Sequence, residues 1–427
     1  MQKRNVLIFP AGTEIGLEIF NALKDCKEVN LFGAGQDVPN HAKFLFSNYF
    51  NLPSIYEKNW IDALGLLCKK NNIDYIFPAY DDVIVSLSKC KDLLPSTILV
   101  PSEQICEITR SKSKTYSFLQ NTVRVPKVFN NPQEVLSYPV LIKPDRGQGS
   151  LGVKKIINHI QLCNDLAELS DAIITEYLPG EEYTIDCFSD REKGLLYFGA
   201  RLRVRMRNGI AVNTQTIELP EAEAMARQIG KKLSIYGAWF FQIKRSIEGE
   251  LTLLEVAPRI AGSMATNRML GVNFPLLAIY EHERIPISIC TNKGIVKLDR
   301  ALGNRYKHSI KFNVLYLDLD DTLIINNKVN ELVITLIFQC INEGKKIVLI
   351  TRHALDLNKT LSQYRISNLF DEIIHLTRNE KKSQFIKEKD AIFLDDSFSE
   401  RLDVLNFCGI PVFDVNMIEL LTKGIYE

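Results

Sequence analysis

The sequence lacks an excess of charge of either sign and has no long apolar run. Its 427 residues include 52 basic and 51 acidic side chains, which leaves a formal net charge of +1 at pH 7. Such a balance gives no general attraction to nucleic acid or to an anionic membrane surface. No stretch reaches the ~18 apolar residues of a membrane span, and the first apolar run is too short for a signal peptide. We therefore expect a cytoplasmic protein without nucleic-acid or membrane partners.

Paired cysteines, internal repeats and low-complexity segments are also missing. The nine cysteines are scattered singly, without a CxxC pair, which argues against a zinc site and for reduced thiols. Apolar residues make up 46% and charged residues 24% of the chain, as in ordinary globular proteins. A chain of this length usually forms more than one hydrophobic core, so we expect two or three domains.

The first hundred residues alternate short apolar runs with helical stretches, which predicts βαβ units and a parallel sheet. The strands are predicted near residues 5–9, 29–32, 75–77 and 98–100, with a helix over 14–24. Gly12 and Gly16 have GxxxG spacing, and Pro10 stands where a dinucleotide fingerprint needs its first glycine. The glycines therefore predict a tight turn and close helix packing rather than a dinucleotide site.

A lysine and a glycine-rich loop follow a later predicted strand. Lys143 closes the apolar run, and the loop contains Gly147, Gly149, Ser150 and Gly152. Glycine amides can approach phosphate oxygens closely, and the lysine supplies a point charge. Because the lysine precedes the glycines, this is not a Walker A loop. By itself the pattern fits a polyphosphate site and a flexible hairpin about equally well.

Further motifs in a fixed order carry a resemblance. They are Lys114, Glu176, Tyr177, Leu178, Glu182, Gln242, Glu255, Pro258 and Arg259. Together with Lys143 and the glycine loop, this order resembles the ATP-grasp family, in particular its carboxylate–amine ligase and carbamoyl-phosphate-synthase-like branch. The resemblance covers about residues 1–300 and implies a Rossmann-like domain before the ATP-grasp α+β fold.

The resemblance implies a nucleotide-binding role for most of these residues. Lys114 and Lys143 would hold the ATP phosphates beneath the glycine loop. The backbone of Glu176, Tyr177 and Leu178 would meet the adenine edge. Glu182 would bind the ribose hydroxyls.

The same resemblance implies a metal site beside the phosphates. Gln242 and Glu255 would be the ligands of Mg²⁺, with Mn²⁺ as the alternative, and Arg259 would face the transferred phosphate or acyl group. The family usually has an asparagine where this chain has Ala257. Either a water molecule, Asp186 or Asn267 replaces that ligand, or a second metal ion is held weakly. A turn or N-cap role is favoured for Asn267.

Four arginines alternate along one segment: Arg201, Arg203, Arg205 and Arg207. A period of two places them on one face of a strand. They could protect a solvated edge strand from aggregation or form a basic wall for an anionic substrate. We slightly favour the wall, for one or two of the four.

A second set of polar residues follows apolar runs beyond residue 310. Its members are Asp318, Asp320, Thr351, Lys382, Asp395 and Asp396. Carboxylates at the end of a buried parallel strand open into the crevice where α/β proteins bind ligands. These residues form four motifs, which are Asp318 with Asp320, Thr351, Lys382, and Asp395 with Asp396. Their order resembles that of the haloacid-dehalogenase-like (HAD) phosphatases over residues 311–427.

That second resemblance implies an aspartyl-phosphate mechanism. Asp318 would be the nucleophile, Asp320 the general acid and base, and Thr351 a hydrogen-bond donor to the phosphoryl group. Lys382, with Lys381 as the less favoured alternative, would offset negative charge. Mg²⁺ would be held by Asp318, Asp320, Asp395 and a backbone carbonyl, with Asp396 as an alternative ligand or a partner of the ligands. An N-cap role is also open for Asp396. The 33 positions from Asp318 to Thr351 leave no room for a cap domain, and His308, His353 and His375 are predicted to be surface or capping residues.

The sequence therefore predicts an α/β protein with three domains: a Rossmann-like domain (1–108), an ATP-grasp domain (109–305) and a capless Rossmannoid HAD-like domain (311–427). The predicted function is an ATP-dependent carboxylate–amine ligase fused to a Mg²⁺-dependent phosphatase that acts on a related metabolite. The partners would be a small-molecule carboxylate and an amine, one of which could be phosphorylated. Two alternatives are an ATP-grasp phosphotransferase without an amine acceptor and a half that senses nucleotide without catalysis. Both substrates are left open, as is the oligomeric state, with a homodimer as one option.

Overall fold

The computed structural model describes residues 3–147, 151–169, 171–207 and 209–426. It divides into two compact units, Met1–Ala301 and Leu302–Glu427. The loop residues Gly149 and Ser150 lie outside the described residues, and the division of the first unit near residue 108 stays a prediction. In the described parts of the chain, no helix is long and apolar enough to span a membrane.

The first unit begins with a parallel sheet and its helices. These elements are β1 (Arg4–Phe9), α1 (Glu14–Leu23), β2 (Val29–Gly35), β3 (Tyr49–Asn51), α2 (Trp60–Lys70), β4 (Tyr75–Pro78), α3 (Asp81–Lys89), β5 (Thr97–Ile98), α4 (Glu103–Arg110) and α5 (Lys112–Leu119). The strand order is β3-β2-β1-β4-β5, and every pair is parallel. The predicted parallel sheet is thus confirmed. A Cβ at Gly16 would lie 2.5 Å from the Ala11 carbonyl oxygen, so glycine in the first turn of α1 allows the preceding turn to pack closely against the helix.

A four-stranded antiparallel sheet follows. It consists of β6 (Val128–Phe129), β7 (Val140–Pro144), β8 (Lys154–Ile156) and β9 (Ala172–Glu176), with α6 (His159–Ala167) between β8 and β9. The strand order is β6-β9-β7-β8. Val140 and Ile142 of β7 join a small apolar core, and Lys143 therefore lies on the opposite face of its strand.

A larger antiparallel sheet completes the first unit. Its elements are β10 (Glu182–Asp190), β11 (Gly194–Arg207), β12 (Ile210–Ile217), α7 (Ala222–Leu233), β13 (Gly237–Arg245), β14 (Leu251–Ala257), α8 (Ala265–Met269), α9 (Phe274–His282) and β15 (Lys297–Asp299). The strand order is β14-β13-β10-β11-β12-β15. Ile185, Phe241 and Ile243 pack in one core with Ala226 and Ile229 of α7.

The larger sheet and the parallel sheet share a second core. Ile8 of β1 and Ile19 of α1 pack in one cluster with Phe240 of β13 and with Phe274 and Ile279 of α9. Shared apolar burial of this kind fixes two sheets relative to each other. The N-terminal sheet is therefore part of the frame that positions the polar residues of β10 to β14.

The second unit contains another parallel sheet. Its elements are β16 (Tyr306–His308), β17 (Val314–Leu317), β18 (Ile324–Ile325), β19 (Lys328–Val329), α10 (Glu331–Asn342), β20 (Lys346–Thr351), α11 (Leu357–Gln363), β21 (Glu372–His375), β22 (Ala391–Leu394), α12 (Phe398–Cys408), β23 (Val412–Phe413), α13 (Ile418–Thr422) and β24 (Gly424–Tyr426). The strand order β21-β20-β17-β22-β23 places β17 in the centre. A hairpin and one helix separate β17 from β20, so no cap domain is inserted there, as predicted.

Candidate functional sites

Two lysines of the first unit lie close together beside β7. Lys143 is 6% exposed, and its Nζ donates to the Tyr116 hydroxyl at 2.8 Å. Lys112 Nζ donates to the carbonyl oxygens of Pro144 and Asp145 at 3.2 and 3.4 Å. Burial, and then the positive charge of Lys112, lower the pKa of Lys143 to about 7. Two crowded cations of this kind favour a polyanionic ligand, because its charge would compensate both.

The structure places Lys112, and not the predicted Lys114, in this pocket. Lys114 is 53% exposed on the side chain, and its Nζ lies 3.8 Å from Glu107. The two lysines are the first and third residues of α5, so they project from different sides of the helix. Ser111 caps the helix and also donates to Asp145 at 2.5 Å, which fixes the start of α5 against the end of β7.

The glycine loop begins next to Lys112. A Cβ at Gly147 would lie 3.5 Å from Lys112 Nζ, so the start of the loop lies beside this ammonium group. Gly152 has a φ of +74°, a conformation that favours glycine. The cover of the loop over the two lysines stays a prediction.

Arg259 is held by a carboxylate that the sequence did not reveal. Asp81, the first residue of α3, accepts from Arg259 Nε at 2.5 Å and from Nη2 at 3.0 Å. Burial alone would raise the pKa of the Asp81 carboxyl, but Arg259 outweighs it and the net shift is downward. Arg259 and Asp81 line a small pocket together with Lys112, Gly147 and Glu255.

Glu255 is the common neighbour of the cations in this region. Its negative charge favours the protonated, positively charged form of four basic groups: Lys112, Lys143, Arg203 and Arg259. Gln242 is its cross-strand partner on β13. A carboxylate and an amide oxygen are ligands that suit Mg²⁺, so this donor pair fits one divalent ion. Ala257, two residues beyond Glu255, has no side-chain oxygen that could bind the ion.

Asp186 and Asn267 do not replace the missing metal ligand. Asp186 is fully buried, and its two oxygens accept from Arg201 Nη2 at 2.6 Å and Nε at 2.7 Å. Asn267 donates to Asp186 at 2.7 Å and accepts from Tyr197 at 3.0 Å. With these partners both side chains form a closed buried network. Asn267 also lies inside α8, so the predicted turn or N-cap role is wrong.

The four alternating arginines have different environments. Arg201 is neutralised by Asp186, and Arg203 lies 2.8 Å from Glu182. Arg205 pairs with Asp299 in an exposed position, and register shifts interrupt the pairing of β11 on both sides of Arg205. Arg207, the last residue of β11, is exposed. A basic wall formed by one or two of the four stays a prediction, and Arg203 lies beside the predicted ribose ligand Glu182.

The hinge residues connect the two antiparallel sheets. Glu176 ends β9, where it accepts from the Lys127 amide at 2.9 Å. Tyr177 and Leu178 lie between β9 and β10, with Leu178 buried and Lys155 Nζ 4.2 Å from the Tyr177 ring centroid. This segment connects the two antiparallel sheets, and its contact with the adenine edge stays a prediction.

In the second unit, one lysine bridges the two strand-end aspartates. Lys382 Nζ lies 2.9 Å from Asp318 Oδ1 and 2.6 Å from Asp395 Oδ2, and all three residues are buried. Lys381 instead pairs with Asp403 at the surface. Thr351, at the end of β20, interacts with the Asp318 carboxylate. β17, β20 and β22 are adjacent, so the predicted residues converge at one edge of the sheet.

The carboxylates of this site fit a divalent cation. Oxygens of Asp318, Asp395 and Asp396 lie within 4.8 Å of one another. Burial raises the pKa of Asp395 to about 6, with Asp318 adding to the rise and Lys382 opposing it. Asp318 Oδ1 is buried and has no hydrogen bond of good geometry despite the nearby ammonium group. A cation would relieve this concentration of negative charge.

His353 lies at this site, although the sequence predicts a surface or capping residue. It is 9% exposed, and its Nδ1 lies 2.9 and 3.0 Å from the two oxygens of Asp320. Its Nε2 lies 2.8 Å from the Thr360 hydroxyl. The predicted surface or capping role is therefore wrong for His353, which holds the carboxylate of Asp320 at the edge of the site.

Comparisons with known proteins support the resemblance of the first unit to the ATP-grasp family. Residues 168–286 match a family model described as "ATP-grasp in the biosynthetic pathway with Ter operon". A D-alanine–D-alanine ligase of Petrotoga mobilis is 30% identical over 100 residues. That match covers 22% of this chain, which spans only 34% of the relative's length.

Solved structures resemble this chain over a larger share. One is the biotin carboxylase domain of Hydrogenobacter thermophilus 2-oxoglutarate carboxylase, solved as a dimer with MgADP, ADP and bicarbonate. Its TM-score is 0.59 at 16% identity, and the match covers 70% of this chain and 74% of the chain of that structure. An L-amino acid ligase of Bacillus licheniformis has a TM-score of 0.53 at 18% identity, with 65% and 74% covered. The predicted ATP-grasp resemblance is confirmed by these matches. The HAD resemblance stays a prediction.

Proposed function

We propose that the first unit is an ATP-dependent carboxylate–amine ligase with Mg²⁺ as its cofactor. The observation that carries the proposal is the convergence of Lys112, Lys143, Glu255 and Arg259 beside a glycine loop. Two crowded ammonium groups supply the charge that a triphosphate needs, and Glu255 with Gln242 would hold the metal. The names of the relatives support a small-molecule carboxylate and an amine as substrates, and a cytoplasmic homodimer is part of the same proposal.

The chemistry follows from these groups. A carboxylate does not react with an amine at neutral pH, because its oxygen is a poor leaving group. Transfer of the γ-phosphoryl group to the carboxylate gives an acyl phosphate, and attack of the amine then releases phosphate and forms the amide. The lysines and Arg259 would hold the phosphoryl oxygens and stabilise the charge that develops on them. Bound Mg²⁺ would neutralise the phosphates further.

A screen for ADP release tests this function. The full chain with MgATP is offered mixtures of amino acids and sugar acids with amines, and ADP release is expected only when both an acid and an amine are present. Lys112→Met should lower that rate on the order of 100-fold, because one phosphate contact and its charge are lost. Lys114→Met is the matched control and should retain the wild-type rate. Equal losses in both variants would contradict the placement of Lys112, and ADP release without an amine would favour the phosphotransferase alternative.

Proton uptake provides a second test of the phosphate pocket. With a pKa of about 7, Lys143 is mostly neutral at pH 8 in the free protein. Phosphates raise the pKa of an adjacent lysine, so MgATP binding at pH 8 should take up close to one proton (~0.9). Titration calorimetry in buffers of different ionisation enthalpy measures this number. It should fall to near zero in Lys143→Met, and uptake that persists in this variant would show that another group is responsible.

We propose that the second unit is a Mg²⁺-dependent phosphatase. The supporting observation is the buried set of Asp318, Lys382 and Asp395 at the edge of a parallel sheet, with Asp320 beside it. Asp318 Oδ would attack phosphorus and displace the alcohol, which Asp320 would protonate. Water activated by Asp320 would then cleave the aspartyl phosphate. Hydrolysis of a phosphorylated product of the first unit is the role that this fusion favours, and Mg²⁺-dependent hydrolysis of para-nitrophenyl phosphate is the direct assay.

A further inference from the structure

A cavity of about 640 Å³ lies in the first unit on the far side of the Arg259 loop. Its walls come from the ends of β4 and β5, the start of α4, the end of α7, the start of β13 and the end of α9. Pro258 and Arg259 line both this cavity and the small pocket that contains Lys112 and Glu255. The volume is in the range of sites for small organic ligands, about 300–1,000 Å³. Of the residues in the proposed ligase chemistry, only Arg259 lines this space; Lys112, Lys143 and Glu255 do not.

Much of the cavity wall is apolar. Representative side chains are Phe77, Ile98, Ile105, Leu233, Ile260 and Ala278. Burial of an apolar ligand surface against such a wall contributes roughly 25 cal/mol per Å². An occupant with a hydrocarbon or aromatic body is therefore favoured over a fully polar one.

The charged side chains at the cavity are mainly basic. Lys91, Arg191, Lys232 and His282 line it, with Glu281 as the one acid among the described lining residues. Arg191 donates to both oxygens of Glu281, at 2.6 and 2.9 Å, so these two charges compensate each other. Lys91 Nζ donates to the Val100 carbonyl at 3.2 Å, and Lys232 Nζ lies 5.2 Å from the Phe118 ring centroid. Across the described parts of the chain, neither lysine forms an ion pair with a carboxylate, so two positive charges are left for a ligand.

We propose that this cavity binds an organic anion with an apolar body, such as a medium-chain or aromatic carboxylate, as an effector of the first unit. The anionic group lies near Lys91 and Lys232, and the apolar body fills the space against Phe77, Ile105 and Leu233. Its occupant contacts Pro258 and Arg259, and the Arg259 side chain reaches the ATP pocket on the other side. Binding of the anion to this cavity does not depend on the proposed ligase function. Its effect on ATP turnover does rest on that proposed function.

The binding test uses the full chain and 8-anilinonaphthalene-1-sulfonate, a fluorescent amphipathic anion. Octanoate should displace the probe, and octanol, which has the same chain without the charge, should be at least about 10-fold weaker. The double variant Lys91→Glu/Lys232→Glu should bind the probe about 10-fold more weakly or worse, because two favourable charges become unfavourable. Lys58→Glu/Lys70→Glu makes the same change in net charge on exposed residues outside the cavity and should bind as the wild type does.

Competition with nucleotide separates an effector site from the ATP site. MgATP should change the dissociation constant of the probe only up to a plateau, because the two ligands occupy different cavities. A dissociation constant that rises without limit as MgATP increases would place the probe in the nucleotide pocket and overturn the proposal. Equal affinity for octanol and octanoate, or equal binding by both double variants, would also overturn it. ADP release by the wild type is measured separately, so a failure of the ligase proposal leaves the binding result interpretable.

Discussion

Replacing Asp318 with Asn is expected to lower the hydrolysis of para-nitrophenyl phosphate by roughly 1,000-fold or more, because an amide is a far weaker nucleophile than a carboxylate. Asp318 is the strand-end residue whose Oδ1 faces Lys382 at 2.9 Å. Lys382 also lies 2.6 Å from Asp395, so the substitution does not leave the buried ammonium group without a partner. Initial rates of nitrophenol release with saturating Mg²⁺ measure the effect, and circular dichroism verifies the fold.

Asp321→Asn is the matched control for this substitution. Asp321 is an exposed carboxylate three residues further on, with a φ of +54°, and asparagine tolerates that conformation well. The control removes one negative charge near the site and should retain most of the wild-type rate. A residual activity above about one tenth in Asp318→Asn would contradict an aspartyl-phosphate mechanism at this site.

Replacing Glu255 with Gln is expected to lower ATP turnover by the first unit on the order of 100-fold or more. Glu255 supplies the one carboxylate of the proposed donor pair, because its cross-strand partner is Gln242 and Ala257 offers no oxygen. The substitution keeps the size of the side chain and removes the charge that offsets the surrounding cations. ADP release at increasing Mg²⁺ separates weaker metal binding from a lower maximal rate.

Two further variants make the Glu255 result specific. Glu248→Gln removes a carboxylate from the exposed turn between β13 and β14 and should not change ATP turnover. Gln242→Glu adds a second carboxylate beside Glu255 and should lower the Mg²⁺ concentration needed for half-maximal turnover. ATP turnover that survives in Glu255→Gln would exclude a metal role for this residue, whereas no turnover in the wild type would favour the nucleotide-sensing alternative.

The sequence predicted the parts of both units that depend on local pattern. Apolar runs located β1, β7 and β17, and the polar residues at the ends of these strands followed from the geometry of sheets. Asp318 and Asp395 came together because β17 and β22 are neighbours, and Lys382 begins a short helical turn in the segment that leads to β22. Adjacent strand ends could also have identified His353, which follows Thr351 by two residues at the end of β20.

Contacts between distant residues could not be predicted in this way. Asp81 and Arg259 are 178 positions apart, and no local pattern connects them. Asp186 reaches Arg201 because β10 pairs with β11. The alternation of the arginines predicted that they share a face of the strand, but it did not reveal that Asp186 neutralises Arg201. Lys112 and Lys114 differ by about 200° around the axis of α5, and only the position of the helix against β7 determines which one enters the pocket.

The ion pair between Asp81 and Arg259 limits how this chain can be recombined with related enzymes. A hybrid that imports an N-terminal segment without an acid at the start of its third helix would leave Arg259 without its partner. The pair is partly buried, so loss of one member costs less than the about 3–5 kcal/mol of a fully buried pair. It would also release the guanidinium group from its fixed orientation. The junction at residues 301 and 302, between the two compact units, leaves this pair intact. Exchange of whole units is therefore a sounder route to new substrate combinations than exchange of the N-terminal sheet alone.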